Sequence, residues 1–410
     1  MTTDNLEQKE RTSAAQRAKK YQILHGRIYT DQFAFEETTL YFAGERIVDR
    51  RTYEAAEGEE ILLDAEGCYV IPGLTDIHFH GCVGSDCCDG TPEAFRAIAE
   101  YEGRNGITTI TPATMTVSEE QLLKVATAAA EYRASRLYAY SGADDADGAG
   151  AVLAGLYMEG PFISAAKKGA QNENYIRRPD GDLFLRLQEA SGGLFRTVAL
   201  APETEGAIDF IRAFAGKVTL SIAHTMADYE TAREAIRAGA GQVTHLYNAM
   251  PGFSHRAPGP IGAAADDGHC RAELICDGIH IHPAVVRTTF RMFGDDRVIL
   301  ISDSLRACGM PDGTYELGGQ QFHLKGNRAT LPDGTIAGSV TNLMDCLRIA
   351  VKEMDIPLKS AVRAAAVNPA QAVGIYENYG SLTPGKYANL VLLDQDLALR
   401  GVYIHGRKIV

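Results

Sequence analysis

The sequence has no long apolar run: nothing in it approaches the roughly 20 residues a membrane-spanning helix needs. Its amino-terminal stretch, MTTDNLEQKERTSAAQRAKK, lacks the apolar segment of a secretory leader, so residues 1–20 are expected to form a disordered tail. Basic charge is in deficit: 40 Lys and Arg face 53 Asp and Glu, a formal net charge of -13. That balance argues against nucleic acid as the main partner, although a small anionic substrate needs only a local basic patch. No two cysteines have CxxC spacing, which argues against a structural zinc knuckle. Eight cysteines in 410 residues do not amount to a disulfide framework. The close group Cys82, Cys87 and Cys88 reads as ordinary reduced thiols. Together these absences point to a cytoplasmic protein with neither a membrane nor a nucleic acid as partner.

What is present is enough for a full core, since 45% of residues are hydrophobic. The length allows one large domain and a smaller one. Residues 21–70 read as short strands and turns, and 376–410 have the same character. These two segments are expected to fold together as a small β-sandwich domain, because chain termini commonly lie close. Between them, residues 71–375 alternate short β-branched runs with amphipathic stretches of helical length. The eight runs are GCYVIPGLTDIHFH, GITTITPA, AVLAGLYME, RTVALAP, KVTLSIAH, QVTHLYN, RAELICD and RVILISD. Eight strands alternating with helices predict an α/β fold, a (β/α)8 TIM-like barrel. An open doubly wound sheet is the alternative. The segment SGADDADGAGA, 141–151, reads as a surface loop.

In such a barrel the active site forms at the carboxyl ends of the strands. Here those ends carry metal-binding residue types repeatedly: His78 and His80 at the end of strand 1, Glu159 at strand 3, His224 at strand 5, His245 at strand 6, Asp277 and His280 after strand 7, and Asp303 at strand 8. Alternation along a strand would turn both imidazoles of the His-x-His pair to one face. Taken singly, each residue has a plain structural explanation: a hydrogen-bonded His, a turn at Glu159 before Gly-Pro, a helix cap at Asp303. Chance does not readily collect them all at one end of one barrel. Imidazole suits zinc, iron and other borderline cations, and Glu159 could bridge two ions. A divalent cation lowers the pKa of bound water and polarises an amide carbonyl. Asp303 is then the candidate proton shuttle between water and leaving nitrogen. His280 is the candidate to bind substrate or stabilise the developing oxyanion.

At these residues the chain resembles the amidohydrolase superfamily, and within it the N-acetylglucosamine-6-phosphate deacetylases, over nearly its whole length after the tail. The matching segments are IPGLTDIHFHG, MEGPFISAAKKGAQNENY, AHTMADY, THLYNAMPGFSHRAPGPIGAA, CDGIHIHP, ISDSLRACGMPDGTY, DGTIAGSVTNLM and GSLTPGKYANLVLLD. The resemblance implies Glu159, His224 and His245 as main metal ligands. Because His78 and His80 are retained, it implies one or two divalent ions per chain, zinc or iron. Asp303 matches the catalytic acid–base. Asn248, Ala249 and Arg256 match sugar-phosphate contacts, and the matching Arg can cross a dimer interface, which implies a homodimer. Asp277, Gly278 and His280 match another substrate segment, Ala170 and Gln171 close the KKGAQ motif on the substrate side, and Ile336, Ala337 and Gly338 match a backbone strip along the sugar. Gln171 departs from members that place a carbonyl-polarising His there. Gln cannot carry charge, so carbonyl activation is expected to lean on a second metal.

The resemblance implies hydrolysis of a phosphorylated N-acetyl amino sugar. Two other readings remain at this point. A hydrolase of cyclic amides or a deaminase would usually carry a Lys-centred metal bridge on strand 4, where this chain has Ala201-Pro202-Glu203. A non-catalytic barrel would be expected to have lost ligands that this chain keeps.

Overall fold

The computed structural model of the chain describes residues 19–141 and 150–410. The expected tail falls outside that range except for Lys19 and Lys20, which already belong to the strand Lys19–Leu24. Residues 142–149 of the expected loop 141–151 likewise lie outside the described residues.

Eight parallel strands make the barrel wall: β1 Leu74–Asp76, β2 Ile107–Ile110, β3 Leu156–Glu159, β4 Phe195–Leu200, β5 Thr219–Ile222, β6 Gln242–Val243, β7 Arg271–Ile275 and β8 Val298–Ile301. From β3 to β8 each strand pairs in parallel with the next, and β1 pairs with β2. Strand β2 resumes at Ala113–Thr114, which pairs with β3 and so joins the two halves of the wall. Closure between β8 and β1 runs through hydrogen bonds just past their ends: Asp303 N donates to His78 O at 3.0 Å, and His80 N to Ser304 O at 2.7 Å. The wall is therefore a closed barrel rather than an open sheet. Strands β1, β2, β3, β6 and β8 are buried at every residue, so they read in the sequence as short continuous runs rather than alternating ones. The surrounding helices begin where side chains cap them. Thr91, Asp180, Asp228 and Asn342 accept from the N–H groups of Ala94, Leu183, Thr231 and Asp345.

The first predicted run, GCYVIPGLTDIHFH, is two elements rather than one. Tyr69–Pro72 pairs with Leu390–Leu393 in the terminal β layer, and only β1 belongs to the barrel. The break falls at Gly73, whose N–H reaches Asn389 O at 2.9 Å. A Cβ at Gly73 would sit 2.1 Å from Thr108 Oγ1, so the strand crosses here only because the side chain is absent. The terminal strands form two sheets, one of Arg46–Val48, Leu40–Ala43, Lys19–Leu24 and Glu59–Asp64, the other running from Arg407–Lys408 to Phe35–Glu37. Tyr21, Ile23 and Phe42 of the first meet Ile28, Val70, Leu390 and Tyr403 of the second in one buried cluster. A four-stranded antiparallel sheet, Gly313–Leu317, Gln320–Lys325, Arg328–Thr330 and Ile336–Gly338, follows β8. It is an insertion that the alternating pattern did not foretell, and it places Ile336–Gly338 over the barrel mouth.

Candidate active site

Glu159 ends β3 and is buried at the barrel mouth. Four imidazoles converge on it. His224 Nε2 and His245 Nε2 lie 3.1 and 3.0 Å from Glu159 Oε1, His78 Nε2 lies 3.4 Å from the same oxygen, and His80 Nε2 lies 3.2 Å from Oε2. His80 Nε2 is also 3.4 Å from Asp303 Oδ1. The histidines of the first strand are not presented by strand alternation, as the sequence suggested. Both lie beyond the end of β1, on the irregular segment that closes the barrel, and they converge all the same.

Strain accompanies this convergence. His224, His245 and Asp303 have φ of 43°, 28° and 48°, in the left-handed region that costs a non-glycine residue on the order of 1 kcal/mol. Each is pinned by backbone bonds. Ser164 N donates to His224 O at 2.9 Å, Asn248 N to His245 O at 2.9 Å, and Ser339 N to Asp303 O at 2.9 Å. The turn rotates each side chain out of the strand direction and into the mouth.

The donor chemistry fits a divalent cation. His224 Nδ1 donates to Lys167 O at 2.8 Å, and His78 Nδ1 to Glu273 Oε2 at 2.8 Å, which leaves the Nε2 lone pairs of both rings facing inward. His224 Nε2 and His245 Nε2 are 3.1 Å apart beside a carboxylate oxygen. Two bare imidazole nitrogens at that distance repel unless positive charge sits between them. The Nε2 of His78 is buried without a hydrogen-bond partner. Two groups meet the spacing for one ion each: Glu159, His224 and His245, and Glu159, His78 and His80. His2Glu is a donor set that zinc takes in hydrolytic sites. The demand for positive charge is also visible in the titration of the cluster. Burial lowers the pKa of His80, yet Asp303 and Glu159 raise it to about 10. Burial raises that of Glu159, yet the imidazoles, His78 foremost, hold it well below the usual carboxylate range. A cation and protons compete for these same atoms.

A cleft of about 390 Å³ opens over the cluster. Of the residues singled out in the sequence, it is lined by His80, Glu159, His224, His245 and Asp303, by Ala170, Gln171, Asn248, Ala249 and His280, and by Ile336, Ala337 and Gly338. Gln171 is fully engaged there: Thr116 N donates to its Oε1 at 2.7 Å, which fixes the amide so that Nε2 donates to Glu159 Oε2 at 2.7 Å. Asp277 does not line the cleft. It is buried behind His280, whose Nδ1 meets Asp277 Oδ2 at 2.7 Å. Burial lowers the pKa of His280, but the Asp277 carboxylate outweighs it and raises the pKa above the ordinary value. Gly278 and Arg256 are exposed and line no part of this chain's cleft.

Glu273 and the backbone carbonyl of Lys167 were not foreseen from the sequence, in which Lys167 reads as a solvated surface residue. Glu273 sits within β7 and is fully buried, and a lone acid inside the run RAELI was the available signal. Lys167 acts through its backbone carbonyl on His224, which no side-chain pattern announces. The cysteines hold no part of the site. All eight are free, and burial pushes the Cys82, Cys87 and Cys88 thiols well up, as expected of inert reduced thiols.

A closed parallel barrel with a buried His/Glu cluster at the carboxyl ends of its strands defines a class, the barrel hydrolases that work through bound divalent cations. The sequence pattern of the Amidohydrolase family matches residues 69–409. The N-acetylglucosamine-6-phosphate deacetylase of Bacillus subtilis (strain 168) is 37% identical over 329 residues, covering 80% of this chain and 81% of the relative. The N-acetylgalactosamine-6-phosphate deacetylase of Escherichia coli O157:H7 is 34% identical over 345 residues, covering 84% and 88%. Among solved structures, a mutant N-acetyl-D-glucosamine-6-phosphate deacetylase of Mycobacterium smegmatis, in complex with N-acetyl-D-glucosamine-6-phosphate, superposes with a TM-score of 0.83 at 31% identity, covering 96% of this chain and 100% of that one. The chain belongs to the amidohydrolase family, in its N-acetylglucosamine-6-phosphate deacetylase branch.

Proposed function

We propose that the protein hydrolyses the acetamide of N-acetyl-D-glucosamine 6-phosphate to D-glucosamine 6-phosphate and acetate. The observation that carries this reading is Glu159, a single buried carboxylate with four imidazole Nε2 atoms within 3.4 Å, beside Asp303 at the mouth of a deacetylase-branch barrel.

Glu159, His224 and His245 would hold one divalent cation, zinc or iron, and His78 and His80 would hold a second through the shared Glu159. When bound, such a cation lowers the pKa of a water and polarises the amide carbonyl. Asp303 takes the proton of the attacking water and passes it to the nitrogen that leaves as the amine. Burial raises the pKa of Asp303, but the hydrogen bond to His80 and the charges of His78 and His80 together outweigh it, and the lowered pKa keeps the carboxylate ionised and ready to accept. His280, oriented by Asp277, keeps a proton to donate to the substrate. Gln171 cannot take that part, because its N–H groups already serve Glu159 and, at 3.6 Å, Met115 Sδ. Polarising the carbonyl would therefore fall to His280 and to whatever cation His78, His80, Glu159, His224 and His245 hold.

Ala170, Asn248, Ala249 and the Ile336–Gly338 strip enclose the sugar ring. Exposed Arg256, whose guanidinium binds phosphate bidentately, reaches the phosphate across a homodimer interface, with Gly278 allowing the close turn beside His280. The setting is the cytoplasm.

The test is acetate release by metal-loaded protein from N-acetylglucosamine 6-phosphate, its galacto epimer and unphosphorylated N-acetylglucosamine. Release is expected to be fastest from the first and negligible from the last. Preference for the galacto epimer would move the assignment to that sugar. No release from any of the three would overturn it.

A further inference from the structure

We infer that Glu273 is a positioning residue that couples the two halves of the cation cluster, and that the second cation depends on it. The inference rests on the two-cation reading of His78, His80, Glu159, His224 and His245.

Glu273 lies on β7 with its side chain inside the barrel, fully buried. No Lys or Arg pairs with it among the described residues. Its charge is satisfied by three donors instead. Oε2 accepts from His78 Nδ1 at 2.8 Å and from the backbone N of His245 at 3.1 Å, and Oε1 accepts from Gln242 Nε2 at 2.5 Å. Its own carbonyl accepts from Leu246 N at 2.8 Å, which fixes the turn after β6. One carboxylate thus grips the ring of a ligand from one group and the backbone of a ligand from the other. A carboxylate on the far nitrogen of a ligating imidazole fixes the tautomer and raises the basicity of the near nitrogen, and losing such a partner commonly costs 10- to 100-fold in metal affinity.

The grip is unequal. His245 is held only by its backbone, and its Nε2 is placed independently by the turn in which it sits. His78 is held by its ring. Without Glu273, nothing among the described residues fixes the Nδ1 proton of His78, and its Nε2 is no longer obliged to be the bare nitrogen. Glu273 should therefore matter most for the group of His78, His80 and Glu159, and little for that of Glu159, His224 and His245. Replacement by Gln suits the space. The amide oxygen can face His78 and His245, and Gln242, whose Oε1 is buried without a partner, can turn to accept the new N–H groups. Glu273→Gln thus removes the charge and leaves the packing.

The experiment is calorimetric titration of Zn(II) into chelator-stripped protein, with ions per chain counted by elemental analysis. Four forms are compared: wild type, Glu273→Gln, His78→Asn and the double variant. Wild type is expected to bind two ions. Glu273→Gln should keep the tighter one within threefold and weaken the other by 10- to 100-fold. In the His78→Asn background, Glu273→Gln should change nothing further, because the path through His78 is already gone. A merely structural role would instead weaken both ions and act additively with His78→Asn. Two ions of unchanged affinity in Glu273→Gln, or additive losses, would overturn the inference. A wild type that binds one ion under saturating zinc would overturn the two-cation reading itself, a separate result from either.

Discussion

His405 is expected to cost this protein stability in acid. It follows the strand Leu399–Ile404 of the terminal β layer and is 6% exposed, with its ring stacked at 3.9 Å and 8° on Tyr387 and its Nε2 3.1 Å from the Tyr379 hydroxyl. The guanidinium of Arg46 lies on the Tyr387 ring at 3.6 Å. Burial first, then the charges of Arg46 and Arg407, push its pKa down from 6.5 to about 3. Below pH 6.5 the unfolded chain takes up a proton that the folded chain refuses, so stability rises with pH across the window from 3 to 6.5 and falls as the solution is acidified through it. Each unit is worth about 1.4 kcal/mol, so this one side chain should remove about 2 kcal/mol between pH 6.5 and 5, and about 4 kcal/mol by pH 3. The assay is urea unfolding of wild type and His405→Asn at pH 7 and pH 5. Asparagine tolerates the left-handed backbone of this position, φ 48°. The variant should be less stable at pH 7, having lost the ring stack, yet its loss between the two pH values should be smaller than that of wild type by about 2 kcal/mol. Parallel losses, or a His405 resonance titrating near 6.5 in the folded protein, would refute the reasoning.

Two further outcomes follow from the site. Asp303→Asn keeps the shape but cannot take a proton, so kcat should fall about 10²- to 10⁴-fold, while metal content by elemental analysis and the melting temperature stay near those of wild type. A normal rate would remove Asp303 from the mechanism. Arg256→Ala should raise KM for the phosphorylated sugar much more than it lowers kcat in steady-state assays, and an unchanged KM would place the phosphate elsewhere.

Much of this was legible in the sequence because barrels repeat one rule. Each strand is a short buried run, and each mouth residue follows it at once, so Glu159, His224, His245 and Asp303 could be found by position alone. What failed did so for identifiable reasons. The Tyr69–Pro72 and Leu74–Asp76 strands are both buried and adjoin, so no change of period marks the boundary between them. Only the missing side chain of Gly73 does. His78 and His80 were placed on a strand because His-x-His fits strand alternation, but an irregular closing segment serves equally well once Asp303 N and Ser304 O hold it. The antiparallel insertion falls within 71–375, which the strand-and-helix rhythm assigned wholly to the barrel, and that rhythm does not mark it off. Glu273 passed as part of an apolar run because its partners, His78 and Gln242, lie 195 and 31 residues away in the chain. Of the residues expected to touch substrate, Arg256, Asp277 and Gly278 do not line the cleft of this chain.

The account stands on the cation cluster, and the most direct measurement strips the protein with a chelator, returns Zn(II) stepwise and follows acetate release from N-acetylglucosamine 6-phosphate alongside bound ions per chain. Release should be absent from the stripped protein and climb in step with occupancy. Undiminished release with no ion bound would contradict the account at its centre.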